Sequence, residues 1–321
     1  MVISRYSLAC FVLALIFSLG LASLPVDAFV DRGNYLTYAS SSAEILERGK
    51  NEGWIYIFTN EPLWLLVNIA LSLVLGDEAV VRVIVFFSSF ITAYLALKVD
   101  RRFFLILLAF LLLPQVMKNY IVHLRQGLAI TVFLIGWFSK NRWVRNSFML
   151  LTPFLHASFF FVLVIYYCSV VLARLKFSSG LRVITFMLVG LCAALVAIWL
   201  ASSLGARQAE VYGEGSLKIS GLGFVYWFVV ALLFVFQGRK FLTDNSFQMG
   251  MLVFYLAIYF FLPISARIFE SAVLLVLISG LRLTSWRLYS YLVLLLFYFM
   301  MQWIPRFYQP GFGWGAENFI G

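Results

Sequence analysis

Charged residues are scarce in this chain. Only 12% of its 321 residues are charged and 63% are hydrophobic, whereas soluble globular proteins average about 25% charged and about 45–50% apolar residues. That excess is too large for the interior of one soluble domain of this length. The composition therefore predicts an all-α polytopic membrane protein, in which apolar stretches of about 20 residues cross the bilayer as helices.

Cysteine and histidine are also rare, with three and two residues respectively. Cys10, Cys168 and Cys192 lie within apolar segments and form no CxxC pair, so they are interpreted as small buried hydrophobic residues. His123 and His156 have no Cys, Asp or Glu at metal-ligand spacing. We therefore expect neither a metal nor another cofactor.

Acidic residues are nearly absent from the apolar runs, and no internal repeat is visible. Ion-coupled carriers usually bury carboxylates and contain repeated halves with broken helices, so this pattern argues against that class. The formal net charge is +10, but Lys and Arg stand between the apolar runs. A nucleic-acid-binding protein gathers them on one face of a soluble fold, so no nucleic-acid partner is expected.

The apolar runs predict about 10–12 transmembrane helices, some re-entrant or broken, within a single integral membrane domain over residues 1–321. Two polar segments, 25–61 and 205–220, are predicted to be extracytoplasmic loops. The run at 62–76 is short for a span, and the long run at 147–173 has to turn back at Pro153 and His156–Ser158, because proline removes a helix hydrogen bond. The runs are 6–24, 62–76, 79–97, 103–117, 121–138, 147–173, 181–204, 221–237, 246–264, 268–281 and 286–304.

Orientation follows from the excess of Lys and Arg in cytoplasmic loops. If the first helix is uncleaved and Arg5 lies in the cytoplasm, the alternating direction of the spans leaves 14 basic residues on the cytoplasmic side. The acidic residues on that side are Asp100 and Asp244. The outside then holds 10 of the 24 basic and 12 of the 14 acidic residues. This partition predicts that the chemistry of the protein faces the non-cytoplasmic side of the membrane.

Arg125 is the strongest candidate for binding an anion on that outer side. It opens an apolar helix together with Gln126 and Gly127. A guanidinium binds phosphate oxygens in a bidentate manner, and the N–H groups at a helix N-terminus add to the field. The alternative is an arginine that extends its charge to the membrane interface.

His156 is the candidate general base, because histidine titrates near neutral pH; the alternative is a packed residue bonded to backbone. Asp31 and Glu61 are the next candidates for a base or for sugar contacts, and Tyr35 belongs to the same polar segment as Asp31. Arg267 and Glu270 either line a cavity or neutralise each other as an i, i+3 pair. Arg207 lies in a loop that either closes over substrate or merely connects two helices.

The ordered set of these motifs resembles the EpsG-like branch of the Wzy-type oligosaccharide repeat-unit polymerases. The most specific part is Arg125-Gln-Gly-Leu-Ala129 followed by His156-Ala-Ser158. The likeness covers about residues 30–275, and the Trp- and Phe-rich tail departs from the family pattern. The looser elements are Asp31 with Tyr35, Asn60-Glu61-Pro62-Leu-Trp64 with Asn68, and Arg267-Ile-Phe-Glu270.

This resemblance implies a metal-independent glycosyltransferase of the bacterial inner membrane, with its active site facing the periplasm or outside. It also implies a membrane fold related to the GT-C enzymes. Such proteins take a glycan from an undecaprenyl-pyrophosphate carrier and join it to a second lipid-linked repeat unit, so both lipid-linked oligosaccharides and the bilayer are expected partners. A chain-length regulator is a further partner that the family implies. The expected pyrophosphate contacts are Arg125, Arg267 and Arg207, with His156 as the base.

Other classes of function remain open at the level of sequence. A transporter or flippase of lipid-linked sugars explains the arginines but needs no base. An O-antigen ligase uses the same donor, and a sugar O-acyltransferase is another membrane transferase. A purely structural membrane subunit needs none of this chemistry. The product separates the transferases: a longer glycan on the lipid carrier indicates a polymerase, and glycan on a lipid A core indicates a ligase.

Overall fold

The structure, a computed structural model, describes residues 5–53, 57–58, 60–203 and 221–316. Helices account for nearly all regular structure in this part of the chain, and the exception is an isolated antiparallel bridge between Phe29 and Gly315. The prediction of an all-α fold is therefore confirmed for the described residues.

Eight of the helices in the described residues precede His156. They are α1 (Arg5–Ala22), α2 (Arg32–Glu52), α3 (Pro62–Ser72), α4 (Asp77–Leu97), α5 (Phe104–Leu111), α6 (Pro114–Ile121), α7 (Leu124–Phe138) and α8 (Arg142–Leu151), with 3₁₀ turns at Arg101–Phe103 and Thr152–Phe154.

Eight more helices follow His156 in the part of the chain that the structure describes. They are α9 (Phe159–Arg174), α10 (Ser179–Ser203), α11 (Leu222–Gln237), α12 (Arg239–Asp244), α13 (Ser246–Ile258), α14 (Ser265–Glu270), α15 (Val273–Gly280) and α16 (Ser285–Trp303), before 3₁₀ turns at Ile304–Tyr308 and Pro310–Gly313.

Four described helices are long and apolar enough to cross a membrane: Arg5–Ala22, Asp77–Leu97, Ser179–Val196 and Ser285–Tyr308. A fifth span results if Arg101–Leu111 and Pro114–Ile121, bent by 60°, are taken together. The helices α3, α7, α9, α11 and α13 are apolar but shorter. The chain is thus an all-α membrane protein. The predicted 10–12 transmembrane helices require that these shorter helices also cross or enter the bilayer.

The segment 25–61, predicted to be an extracytoplasmic loop, contains a long helix, and its position outside the membrane stays a prediction. Helix α2 fills 21 of its residues. Its mean composition is polar, but its buried residues Arg32, Tyr35, Ala39, Ser42 and Gly49 recur at helical spacing. One face of α2 therefore packs inward. The segment predicted at 205–220 lies outside the described residues.

The predicted break within 147–173 is confirmed. Helix α8 ends at Leu151, Pro153 lies in a 3₁₀ turn, and α9 begins at Phe159. The turn between them carries His156. Helix α3 has only 11 residues, about 16 Å at 1.5 Å per residue, which agrees with the expectation that the 62–76 run is short for a span.

The described chain forms two compact units, Met1–Phe160 with Phe299–Gly321, and Phe161–Tyr298. In the first unit, buried hydroxyl groups join three helices: Thr92 bonds to Thr131 at 2.9 Å, and Tyr120 donates to Thr92 at 2.9 Å. Such bonds hold helices together where lipid supplies no hydrophobic driving force between them. They fix α7, which carries Arg125, against α4 and α6.

The second unit is built around α15, all eight residues of which are buried. Apolar residues on every side are typical of a helix enclosed by others. Gly280 makes room for the Tyr291 ring, and Tyr291 donates to the Leu277 carbonyl at 2.9 Å. In the same unit α10 packs on α13.

Candidate active site

Glu61 occupies the position immediately before α3 and is only 7% exposed. Pro62 follows at the first helical position, where its missing N–H costs nothing. A residue that precedes proline is disfavoured in the right-handed helical region, and Glu61 adopts the left-handed region with φ 56°. Non-glycine residues in that region are uncommon and concentrate at functional sites. The backbone here directs the carboxylate into the protein.

Both oxygens of the Glu61 carboxylate are bonded to groups that are distant in sequence. Oε1 lies 2.8 Å from His156 Nδ1 and accepts from the Ala157 backbone N–H at 3.0 Å. Oε2 accepts from Arg125 Nη1 at 2.5 Å. His156 and Ala157 follow the 3₁₀ turn at Thr152–Phe154, and both contact Oε1. Glu61 therefore joins three segments of the chain.

The pKa of Glu61 reflects this pairing. Burial is the largest single influence and raises the pKa. The hydrogen bond from His156, the charge of Arg125 and the Ala157 N–H lower it, and together they outweigh burial. The result is a pKa below the ordinary value for glutamate. Glu61 is therefore ionised at neutral pH. We expected it as a second candidate base, but a carboxylate that already accepts three bonds is better suited to orient its donors.

Arg125 stands in the first turn of α7 with 35% of its side chain exposed. Its guanidinium lies 5.3 Å from the centre of the Tyr38 ring, within the range of a cation–π contact. Burial raises the pKa of Tyr35. The charge of Arg125 and its hydrogen bond to Tyr35 lower that pKa by a smaller amount. Arg125, Tyr35, Glu61 and His156, all named from the sequence, are thus brought together.

The residues after Arg125 have a structural explanation. A Cβ atom at Gly127 would lie 2.1 Å from the Asn119 carbonyl oxygen, so only glycine permits α7 to start this close to α6. Gln126 is 1% exposed and faces away from solvent. The Gln-Gly pair therefore fixes the start of α7, and a direct role for Gln126 in substrate binding stays a prediction.

Asp31 precedes α2 and also adopts the left-handed region, with φ 66°. Its Oδ2 lies 3.8 Å from His123 Nδ1, too far for a direct hydrogen bond but close enough for an electrostatic interaction. Its charge also acts on Tyr35. Asp31 therefore belongs to the edge of the cluster. Sequence reasoning considered His123 only as a metal ligand and missed this pairing.

Arg32 was also missed as a structural residue. It is 1% exposed, and it donates to the backbone carbonyls of Ile121 and Tyr120 at 2.5 and 3.4 Å. Burial lowers its pKa to about 10, so it stays charged at neutral pH. A cation is favourable at a helix C-terminus, and here it closes α6 just before His123. The signal in the sequence was the position of Arg32, which has the same helical spacing as Tyr35 and Ala39 on α2.

A cavity of about 240 Å³ opens beside this network. Glu61 and Arg125 form its charged part, and aliphatic side chains form much of its remaining wall. Tyr35, Asp31 and His156 stand outside its lining, and His156 reaches it through Glu61. The lining residues are Tyr38, Ile45, Leu46, Gly49, Ile57, Asn60, Glu61, Leu65 and Arg125.

Three further site residues were predicted from the sequence. Arg267 is exposed and Glu270 is buried on α14 of the second unit. Arg207 lies outside the described residues. Within the described ranges, no group of three or more His, Cys, Asp or Glu gathers in a way that suits a metal ion.

The chain was also compared with known proteins. It matches no protein-family model, no curated protein and no solved structure. The case for function therefore depends on the Arg125–Glu61–His156 network and the cavity beside it.

Proposed function

We propose that this protein is a membrane glycosyltransferase that polymerises undecaprenyl-pyrophosphate-linked oligosaccharide repeat units. The activity is that of the Wzy-type polymerases which its motifs resemble. The single observation that supports it best is the carboxylate of Glu61, which holds a cavity-lining arginine and a histidine at the same point.

Arg125 binds the pyrophosphate of the donor. A guanidinium has five N–H donors, more than Glu61 and Tyr35 engage, and the Arg125 side chain is partly exposed beside the cavity. As the bond from the anomeric carbon to the pyrophosphate breaks, negative charge grows on the leaving oxygen. A fixed cation placed there stabilises that charge. The aliphatic wall from Ile45, Leu46 and Leu65 suits the first carbons of the lipid.

His156 is the general base. With its Nδ1 held at Glu61 Oε1, Nε2 accepts the proton of the attacking sugar hydroxyl while the new glycosidic C–O bond forms. The pyrophosphate lipid departs with the electrons of the old C–O bond and needs no proton donor. Ionised Glu61 then stabilises the imidazolium, the role that a carboxylate has beside histidine in other nucleophile-activating sites. Glu61 is a positioning residue in this scheme.

The proposal extends to the setting of the site. The protein acts in the bacterial inner membrane with this cavity on the periplasmic or outer face, in a fold related to the GT-C enzymes, and with ten or more helices crossing or entering the bilayer. That Arg207, Arg267 and Glu270 bind the substrate stays a prediction from the sequence. A chain-length regulator is a partner.

The test is the product made by purified protein in lipid nanodiscs from one synthetic lipid-linked repeat unit. Wild-type protein is expected to give a ladder of longer glycans on the carrier. Arg125→Lys, which keeps the charge but loses the fork of donors, and His156→Gln are expected to reduce the rate by about 10²–10⁴-fold. Arg48→Lys, at an exposed position on α2, is the matched control and should match wild type.

The same assay separates the competing functions. Wild-type protein that moves the lipid across the bilayer without lengthening its glycan is a flippase. Transfer only to a lipid A core indicates a ligase. Unchanged ladders from Arg125→Lys and His156→Gln at normal protein levels would contradict the proposed roles of both residues.

A further inference from the structure

A second cavity lies beside the first. Its volume is about 250 Å³, well above the share of about 30 Å³ that one water molecule takes in the liquid. It shares Tyr38, Ile45 and Arg125 with the first cavity and adds Asn34 and Thr37. Arg125 therefore faces two neighbouring spaces.

The two cavities overlap along α2 between Tyr38 and Ile45 and extend from there in opposite directions. Asn34, Tyr38 and Ile45 are spaced by four and seven residues, so they share one face of the helix. The second cavity meets the N-terminal turns at Asn34 and Thr37, and the first reaches the later turns at Leu46 and Gly49. At 1.5 Å per residue the pair extends over about 22 Å of helix. Tyr38 and the Arg125 guanidinium, 5.3 Å from its ring, stand where the cavities adjoin.

The linings differ in chemistry. The first cavity has Glu61 with Arg125 and an aliphatic wall. Of the second cavity's lining, Asn34, Thr37 and Tyr38 are neutral hydrogen-bonding residues, Ile45 is apolar, and Arg125 is charged. Amide and hydroxyl groups both donate and accept hydrogen bonds, as sugar hydroxyl groups do.

We infer that the second cavity binds an uncharged, hydroxyl-rich saccharide and serves as the acceptor subsite. This inference rests on the proposed function, in which the first cavity takes the lipid pyrophosphate. The donor and acceptor then approach each other from opposite ends of one face of α2. Their reacting atoms meet at Tyr38 and Arg125, and Tyr38 positions the acceptor sugar.

Occupancy of each cavity can be read separately by cysteine protection. Single cysteines are introduced as Thr37→Cys for the second cavity, Leu46→Cys for the first and Ser40→Cys as a control, since Ser40 is exposed and lines neither. The background lacks Cys10, Cys168 and Cys192. Maleimide labelling is followed in nanodiscs with farnesyl pyrophosphate or with a panel of methyl glycosides of hexoses, deoxyhexoses and N-acetylhexosamines.

A methyl glycoside is expected to slow labelling of Thr37→Cys at least threefold, with no effect at Leu46→Cys or Ser40→Cys. Farnesyl pyrophosphate is expected to protect Leu46→Cys alone, and both probes together should protect both positions. Asn34→Leu should abolish protection by the glycoside and retain protection by farnesyl pyrophosphate. Arg125→Ala should remove protection by farnesyl pyrophosphate.

Glycosides that protect neither cysteine, or that compete with farnesyl pyrophosphate for one of them, would overturn the second subsite and leave the proposed function intact. Failure of farnesyl pyrophosphate to protect Leu46→Cys, with glycoside protection of Thr37→Cys preserved, would instead remove the pyrophosphate assignment and keep the saccharide site. Protection by neither probe would remove both.

Discussion

The Glu61 carboxylate and the His156 imidazole are joined at 2.8 Å although 95 residues separate them. The second oxygen of the same carboxylate accepts from Arg125. One buried anion thus sets the distance between a cation suited to a pyrophosphate and a base suited to a sugar hydroxyl. The residue at this junction, Glu61, has the uncommon left-handed backbone conformation, which is concentrated at functional sites.

Replacement of Glu61 by glutamine should therefore harm both stability and activity. The glutamine amide group places an N–H where the carboxylate accepted a bond, so Arg125, His156 or the Ala157 N–H loses its acceptor. Loss of such a partner in a partly buried site costs about 1–3 kcal/mol, and we expect the polymerisation rate to fall at least 100-fold. Thermal unfolding in detergent and the ladder assay measure the two effects.

Glu78→Gln is the matched control for that variant. Glu78 pairs with Arg82 at 2.7 Å, but 60% of its side chain is exposed. Exposed pairs of this kind contribute about 0–1 kcal/mol. If Glu61→Gln proves as stable and as active as Glu78→Gln, the Glu61 network does not have the role assigned to it.

The stabilisation from Glu61 should depend on pH in a defined direction. Its pKa in the folded protein lies below the ordinary 4.5, so the unfolded chain binds this proton more readily. The contribution is then fully present above about pH 4.5 and is lost as the pH falls through the lower, folded value. We expect the difference in unfolding free energy between wild type and Glu61→Gln to shrink below pH 4.5. A difference that grows on acidification would contradict this assignment.

Much of the architecture was predictable because lipid imposes simple rules. Apolar run length and the absence of charge indicated the helices, and Pro153 with His156 marked the turn between α8 and α9. The helix α2 was missed because its average polarity is typical of a loop. Its regular pattern of buried residues, beginning with Arg32 and Tyr35, becomes visible only when periodicity is considered in place of mean hydropathy.

The candidate site was predictable in its members more than in its roles. Arg125, Glu61, His156 and Tyr35 were named from motifs, and they meet in the structure. The sequence did not indicate that Glu61 accepts from both Arg125 and His156, since contacts across 64 and 95 positions leave no local signal. For the same reason Gly127 resembled part of an anion-binding turn, whereas the structure gives it a packing role.

Arg32 should stabilise the folded protein, although it is a buried cation with no carboxylate partner among the described residues. It donates to two carbonyls at the end of α6, so Arg32→Met leaves those acceptors buried and with fewer partners. We expect a loss of about 1–3 kcal/mol, measured by thermal unfolding. Arg32→Lys should recover part of it, because one ammonium group keeps the charge at the helix end. Arg48→Met, on the exposed side of the same helix, should be near neutral, and equal effects of Arg32→Met and Arg48→Met would rule out this role.

Gly127 should be the most sensitive glycine for activity. An alanine Cβ there would meet the Asn119 carbonyl oxygen at 2.1 Å, and backbone cannot rotate away as a side chain can. The start of α7 has to move from α6, which carries Arg125 away from Glu61. We expect Gly127→Ala to cost about 1–3 kcal/mol of stability and to reduce polymerisation by at least tenfold. Gly20→Ala provides the comparison, since nothing lies within 4 Å of a Cβ at that position and alanine favours a helix. A Gly127→Ala protein with wild-type rate would mean that Arg125 does not need the close contact between α6 and α7.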